Sequence, residues 1–139
     1  MLKLLIVDDE KIIRETMAGL IDWNSLGIQL IGTARDGIEA YNMILDEYPD
    51  IVLTDIKMPG LSGLELIQKI HGINKDTHFI ILSGYGEFEY AKKAMQYGVK
   101  HYLLKPCNEE QIIESLQDVI KDYTNYLATR GETPQTLIS

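Results

Sequence analysis

Asp8, Asp9 and Glu10 form an acidic triplet directly after the apolar run Leu2 to Val7. Asp55 follows a second apolar run, Ser83 a third, and Lys105, with Pro106 behind it, a fourth. If each run is a strand of one parallel sheet, these residues fall beyond the carboxyl ends of the strands, where open α/β sheets carry their sites. The carboxylates of Asp8, Asp9 and Asp55, a hydroxyl and an ammonium then converge from four separate loops. Like charges on Asp8, Asp9 and Asp55 would repel at close range unless a cation sat among them. Mg²⁺ suits such a place, because it takes hard oxygen ligands, one or two carboxylates, several waters and substrate phosphate. A lysine beside it could neutralise the equatorial oxygens of a phosphoryl group, which is most of what phosphoryl transfer asks of a protein.

Each residue also has a plainer reading. Asp9 could simply cap the first helix, Ser83-Gly84 could be only a turn, and Lys105 a solvated charge. Those readings hold singly and fail jointly, since they leave the three acidic side chains uncompensated.

The elements that must position these residues alternate along the chain. Leu2 to Val7 is a β-branched and leucine-rich run of the kind that forms a buried strand. Ile12, Ile13, Met17, Leu20 and Ile21 recur at helical spacing, and the polar loop Asp22-Trp23-Asn24-Ser25 ends at Gly27. Ile28 to Ala34 is a second strand. Asp36 with Glu39 predicts a capping box opening a helix whose inner face is Ile38, Tyr41, Ile44, Leu45 and Tyr48, stopped by Pro49. Asp50 to Thr54 is a third strand, apolar on both faces. After the turn Met58-Pro59-Gly60, Ser62 with Glu65 predicts another capping box, with Leu64, Ile67 and Ile70 facing inward. Phe79 to Leu82 is the fourth strand. Phe88, Ala91, Ala94 and Met95 mark a helix ended by Gly98, and Tyr102 to Leu104 is a short fifth strand. Asn108 with Gln111 opens a last helix with the stripe Ile112, Ile113, Leu116, Val119, Ile120 and Tyr123. Five βα units in succession predict an α/β fold with a parallel sheet and helices on both faces. One domain is expected over residues 1–125, and residues 126–139 read as a tail or the start of a linker.

Composition bounds the function. At 139 residues the chain is long enough for one core, and 45% hydrophobic with 24% charged residues is ordinary for a globular protein. A net charge of -8 with dispersed Lys and Arg argues against direct nucleic-acid binding by this chain. The longest purely apolar run, Leu4 to Val7, is far too short to span a membrane, and it begins too close to Met1 for a secretory leader. The one cysteine, Cys107, cannot form an internal disulfide, which fits a cytoplasmic protein; an inert packed thiol is expected there. His71, His78 and His101 do not have zinc-ligand spacing.

The strings LLIVDDE, DIVLTDIKMPGLSGLEL and FIILSGYGEFEYAKKAMQYGVKHYLLKP, in that order, resemble the receiver domains of two-component response regulators over roughly residues 2 to 125. Within that family the segments DWNSLGIQLIGTARDGIEA and SGYGEFEYAKKA resemble YesN-like regulators, in which the receiver precedes an AraC-type DNA-binding domain. The resemblance implies a flavodoxin-like (βα)5 fold with strand order 2-1-3-4-5. It implies Asp55 as phosphoacceptor, Asp9 and Asp55 as direct Mg²⁺ ligands, Asp8 as a ligand through water, and the Lys57 carbonyl completing the set. Lys105 would pair with the phosphoryl oxygens, Ser83 would hydrogen-bond them, the bond to Pro106 would be cis, and Tyr102 would change exposure as a switch. The implied partners are a sensor histidine kinase and a downstream DNA-binding domain, with room for a homodimer on phosphorylation. Lys57 and Tyr85 occupy the two positions that control water access to the acyl phosphate in the family, and a large Tyr85 is expected to shield it.

Three other readings fit less well. A haloacid-dehalogenase-like phosphatase needs a second acid two residues after the nucleophile, where Lys57 stands. A flavodoxin-like cofactor module needs a neutral phosphate loop, where Asp8-Asp9-Glu10 stand. A pseudo-receiver would lack the acceptor or the lysine, and this chain has both.

Overall fold

The computed structural model describes residues 1–74, 76–129 and 131. Strands β1 (Leu2–Val7), β2 (Ile28–Ala34), β3 (Ile51–Asp55), β4 (His78–Ser83) and β5 (His101–Leu104) form one parallel sheet in the order β2-β1-β3-β4-β5. Helices α1 (Lys11–Leu20), α2 (Gly37–Glu47), α3 (Gly63–His71), α4 (Phe88–Met95) and α5 (Glu109–Thr129) follow the strands in turn. This is the flavodoxin-like α/β fold expected from the sequence. Among the described residues no helix is long and apolar enough to cross a membrane.

Strand side chains alternate between the two faces of a sheet, so a strand covered on both faces must be apolar throughout. β3 follows that rule over Ile51 to Leu53, and it buries the polar Thr54 and Asp55 only at its carboxyl end. Leu5, Val7, Val52, Phe79 and Ile81 project into one core with Ala40, Ile44, Leu66, Ile67, Ile70 and Ala94 of α2, α3 and α4. Leu4, Ile6, Ile51, Leu53, Ile80 and Leu82 project into the other, with Met17, Ile112, Leu116 and Val119 of α1 and α5.

The helix starts are set locally. Ser62 Oγ accepts from Glu65 N–H, and Glu65 Oε1 accepts from Ser62 N–H, so the capping box of α3 is closed. Asn108 and Gln111 make the same reciprocal pair ahead of α5. At α2 Asp36 caps as expected, but Glu39 accepts from Arg35 N–H rather than Asp36 N–H, so that box is not closed. Gly98 is left-handed at φ 86°, after α4.

Several helical residues expected to face inward do not. Ile12, Leu20, Ile38, Tyr48 and Phe88 are more than half exposed, while Ala40, Ile44, Ala91 and Ala94 fill the inner positions. In α2 and α4 the small residues Ala40, Ala91 and Ala94 lie against the sheet, and the larger Ile38 and Phe88 are left on the flank. Trp23, read as part of a polar loop, is buried, with its Nε1–H donating to Ala18 O at 3.0 Å. The expected boundary at residue 125 falls inside α5. Leu127 lies one turn beyond Tyr123 and is buried, which gives the helix a reason to continue to Thr129. The remainder of the predicted tail, from residue 132, lies outside the described residues.

Gly63, the first residue of α3, packs directly on the end of β3. A Cβ there would lie 2.1 Å from Asp55 O and 2.9 Å from Ile56 Cα. Only backbone fits, so α3 approaches the strand closely enough to fix the position of Asp55. Gly63→Ala is expected to destabilise the fold by about 2 kcal/mol or more, as overpacking against backbone does. Urea unfolding would measure it, and a change within error would show that the loop yields freely.

Candidate functional site

Parallel strands end together, and here four of them end around one acidic cluster. Val7 pairs with Thr54, Asp55 with Leu82, and Ser83 with Leu104, so Asp8, Asp55, Ser83 and Lys105 leave the sheet at nearly one level. The backbone cross-links hold that level. Ile56 N–H donates to Leu82 O at 2.9 Å, and Lys105 N–H donates to Ser83 O at 2.8 Å. The Lys105–Pro106 peptide bond is cis.

Asp8, Asp9 and Asp55 each offer a carboxylate oxygen, and these atoms lie within 4.8 Å of one another. Asp8 is wholly buried, Asp55 is 5% exposed, and Asp9 is open to solvent. Lys105 Nζ donates to Asp8 Oδ2 at 2.9 Å and lies 3.2 Å from Asp55 Oδ2. Asp8 also accepts from Glu10 N–H at 2.9 Å through Oδ1, so both of its oxygens are engaged. Three carboxylates therefore share one ammonium, which leaves a site short of positive charge. The donor set is hard oxygen, with Asp9 and Asp55 disposed toward the same space, and that fits Mg²⁺ better than a soft transition metal.

Electrostatics agree with the geometry. Burial pushes the Asp55 carboxyl up from 3.8 to about 7, helped by the charge of Asp8 and a hydrogen bond with Asp9, and resisted by Lys105. For Lys105 burial alone acts downward. Its hydrogen bond to Asp8 and the charges of Asp55 and Asp8 more than reverse this, holding the ammonium above the usual lysine value.

The remaining predicted site residues lie around this cluster or beyond it. Ser83 is 2% exposed at the end of β4. Lys57 is on the surface after β3, its ammonium 5.6 Å from the centre of the Tyr90 ring. Tyr102 is 41% exposed on β5. Tyr85 is 99% exposed, projecting into solvent, so it does not shield Asp55 here as expected; the next residue, Gly86, is left-handed at φ 88°. Cys107 is half-buried, and burial raises its thiol above the usual value, consistent with an inert group. Sequence reasoning missed Arg14, whose Nη1 donates to Asp8 O at 2.7 Å. It also missed Glu87, which accepts from Gly84 N–H. Arg14 stands six residues after Asp8, a spacing that signals nothing until α1 is seen beside the end of β1. A cavity of about 260 Å³ and a groove of about 370 Å³ lie elsewhere and include none of the acidic cluster.

Residues 4–117 match the response regulator receiver domain family. The chain belongs to that family. It is 60% identical over 122 residues to the transcriptional regulatory protein YesN of Bacillus subtilis, covering 88% of this chain and 33% of that protein. It is 43% identical over 133 residues to the transcriptional regulatory protein HptR of Staphylococcus aureus, covering 96% of this chain and 52% of that one. The receiver thus spans a third to about half the length of these curated relatives. Among solved structures, a two-component transcriptional regulator AraC from Clostridium phytofermentans superposes with a TM-score of 0.85 at 35% identity, covering 92% of this chain and 99% of that chain. The receiver domain of AraT, a response regulator from Geobacillus stearothermophilus, gives 0.79 at 34% identity, with 94% and 98% covered.

The raised Asp55 value has a consequence for stability. Between about pH 4 and pH 7 the unfolded chain has released this proton while the metal-free receiver still holds it. Folding then takes up a proton, so the Asp55 contribution to stability falls as pH rises through that window. Asp55→Asn cannot ionise and escapes the loss. Its stability relative to wild type is expected to grow by on the order of 3 kcal/mol between pH 4 and pH 8 in EDTA, read by urea unfolding. A gap that stays constant would mean that Asp55 is ionised in the folded protein throughout.

Proposed function

We propose that Asp55 accepts a phosphoryl group in a Mg²⁺-dependent reaction and that the receiver thereby switches a transcriptional output. The observation that carries this reading is the Lys105 ammonium held between Asp8 and Asp55, with Asp9 open to solvent beside them. In it Asp9, Asp55 and the Lys57 carbonyl would hold Mg²⁺ directly, and Asp8, already engaged by Lys105 and Glu10, would contribute through water. The metal supplies charge neutralisation for the transferring group. The Asp55 carboxylate oxygen forms a bond to phosphorus as the phosphorus–nitrogen bond of a phosphohistidine breaks, and the electron pair stays on the imidazole. Lys105 is placed to follow the phosphoryl oxygens, and Ser83 to donate its hydroxyl to them. Loss of the phosphoryl group to water is the domain's only other reaction.

A donor side chain on another protein suits the position of the cluster, which lies on a loop-rimmed surface and outside both cavities. That donor is a sensor histidine kinase, the partner that family membership implies, acting in the cytoplasm. Ser83 drawn toward the phosphoryl group vacates space that Tyr102 of the next strand can enter, changing the surface of α4, β5 and α5. This surface would then meet a DNA-binding domain carried elsewhere in the full-length protein, or a second phosphorylated copy. The support for a DNA-binding output is the similarity to YesN and HptR, both described as transcriptional regulators.

Incubation with acetyl phosphate and Mg²⁺ is expected to add one phosphoryl group, seen by mass spectrometry, with none added in EDTA or to Asp55→Ala. Undiminished labelling of Asp55→Ala would remove the assignment. Asp9→Ala is expected to weaken Mg²⁺ binding more than Asp8→Ala, measured by titration calorimetry, since Asp9 is the direct ligand of the two. The reverse order would reassign them.

Hydrogen exchange in α4, β5 and α5 is expected to change when a phosphoryl analogue is bound, and to stay unchanged in Ser83→Ala. An identical response in that variant would mean that the switch does not run through the hydroxyl.

A further inference from the structure

The loop joining β4 to α4 is closed by a side chain. Gly84 N–H donates to Glu87 Oε1 at 2.6 Å, a short charge-assisted bond, and Glu87 N–H donates back to Gly84 O at 3.2 Å. Glu87 is half-buried and stands at the N-cap position of α4, yet its side chain makes no bond to that helix. A side-chain oxygen at the N-cap ordinarily accepts from a free N–H of the first turn, a role that short side chains fill best. Here it is turned backward onto the loop. The same helical turn is tied down a second time, because the Tyr90 ring carries the Lys57 ammonium. Thus α4 is fastened at two points to the loops around Asp55: at Gly84, next to Ser83, and at Lys57, two residues past Asp55.

Gly84 N–H lies directly after β4, at the strand end that Asp55 and Leu82 share. Backbone N–H groups at such loops are natural anion donors. Glu87 fills this one with an anion that belongs to the chain itself, on a face where three carboxylates already share one ammonium. A phosphoryl group on Asp55 adds further negative charge. It repels the Glu87 carboxylate and competes for the same N–H.

We propose that Glu87 is a positioning residue that latches Gly84 N–H in the unphosphorylated receiver and is displaced by the phosphoryl group. This inference rests on Asp55 being the acceptor. The latch has a second resting place, since a released Glu87 carboxylate can turn toward the N-terminus of α4, where a helix offers N–H groups that lack intrahelical partners. Exchange between them converts arrival of the phosphoryl group into a rearrangement of the first turn of α4. It also makes Glu87 an internal opponent of phosphorylation, because its bond to Gly84 must break before the phosphoryl oxygens gain that donor.

The test is the rate of labelling of the full chain by acetyl phosphate with Mg²⁺. In that step the Asp55 oxygen bonds to phosphorus as the bond to acetate breaks, and acetate leaves as the anion. Glu87→Ala is expected to be labelled about tenfold faster than wild type, the scale of one charge-assisted hydrogen bond. Glu87→Gln keeps an acceptor oxygen without the charge and should fall between the two. A merely structural Glu87 would lower stability to urea without raising the rate, so the sign of the rate change separates the roles. The Gly84 amide resonance is expected to move on phosphorylation of wild type and, in unphosphorylated Glu87→Ala, to have left its wild-type position already. If Glu87→Ala does not fold, the glutamine variant carries the comparison. Wild type that is labelled on Asp55 while folded variants are labelled no faster would overturn the latch alone. Wild type that takes no label would overturn the acceptor assignment, and the latch with it.

Discussion

The Lys105 ammonium lies 2.9 Å from Asp8 and 3.2 Å from Asp55, and the arrangement of the whole carboxyl edge of the sheet depends on it. Two nearly buried carboxylates cannot both stay ionised side by side without a counter-charge. One lysine offsets only part of their charge, and Asp9 adds more. The site is therefore incomplete in the electrostatic sense, its excess negative charge favouring affinity for a divalent cation. A site fully neutralised by the chain would have no such affinity.

The fold serves that incompleteness by denying the charged groups freedom to move apart. Asp55 ends the central strand, which is buried on both faces, and Gly63 lets α3 close on its backbone. Asp8 is fixed through Glu10 N–H on one oxygen and Lys105 on the other, while Arg14 holds its carbonyl. Lys105 is carried at the sheet edge by its own N–H on Ser83 O. Ser83 and Lys105 thus share a backbone link, so a movement at one is felt at the other. The two cores pack the sheet from either side, while Tyr85 and Lys57 lie at the surface of the loops above its edge.

This division suits a signalling domain. The acidic cluster lies at the carboxyl edge of the sheet, while exposed aromatic and apolar groups lie at its margin. Tyr102 is already 41% exposed on the edge strand β5, and Phe88 and Leu104 nearby leave more than half of their surface in solvent. These apolar side chains are held outward on α4 and β5, next to the β4–α4 loop.

Much of this was legible in the sequence, and the reason is physical. A parallel sheet places every strand end on one edge, so the order of apolar runs was enough to group Asp8, Asp9, Asp55, Ser83 and Lys105 and to fix the fold. Ser62 with Glu65 and Asn108 with Gln111 are contacts three residues apart, and such local pairs read directly from sequence. Helical periodicity was less informative. It marks a stripe but not its width, so Ile12, Leu20, Ile38 and Tyr48 looked internal, whereas Ala40 and Ala94 turned out to carry the close packing. Direction was invisible as well: Glu39 reaches Arg35, Glu87 reaches back to Gly84, and Tyr85 points away from the site. The types and order of its residues determined this protein's fold and the members of its acidic site. Which oxygen meets Lys105, and which N–H Glu87 takes, only the tertiary structure decided, because these bonds depend on rotamers selected by neighbours from other parts of the chain.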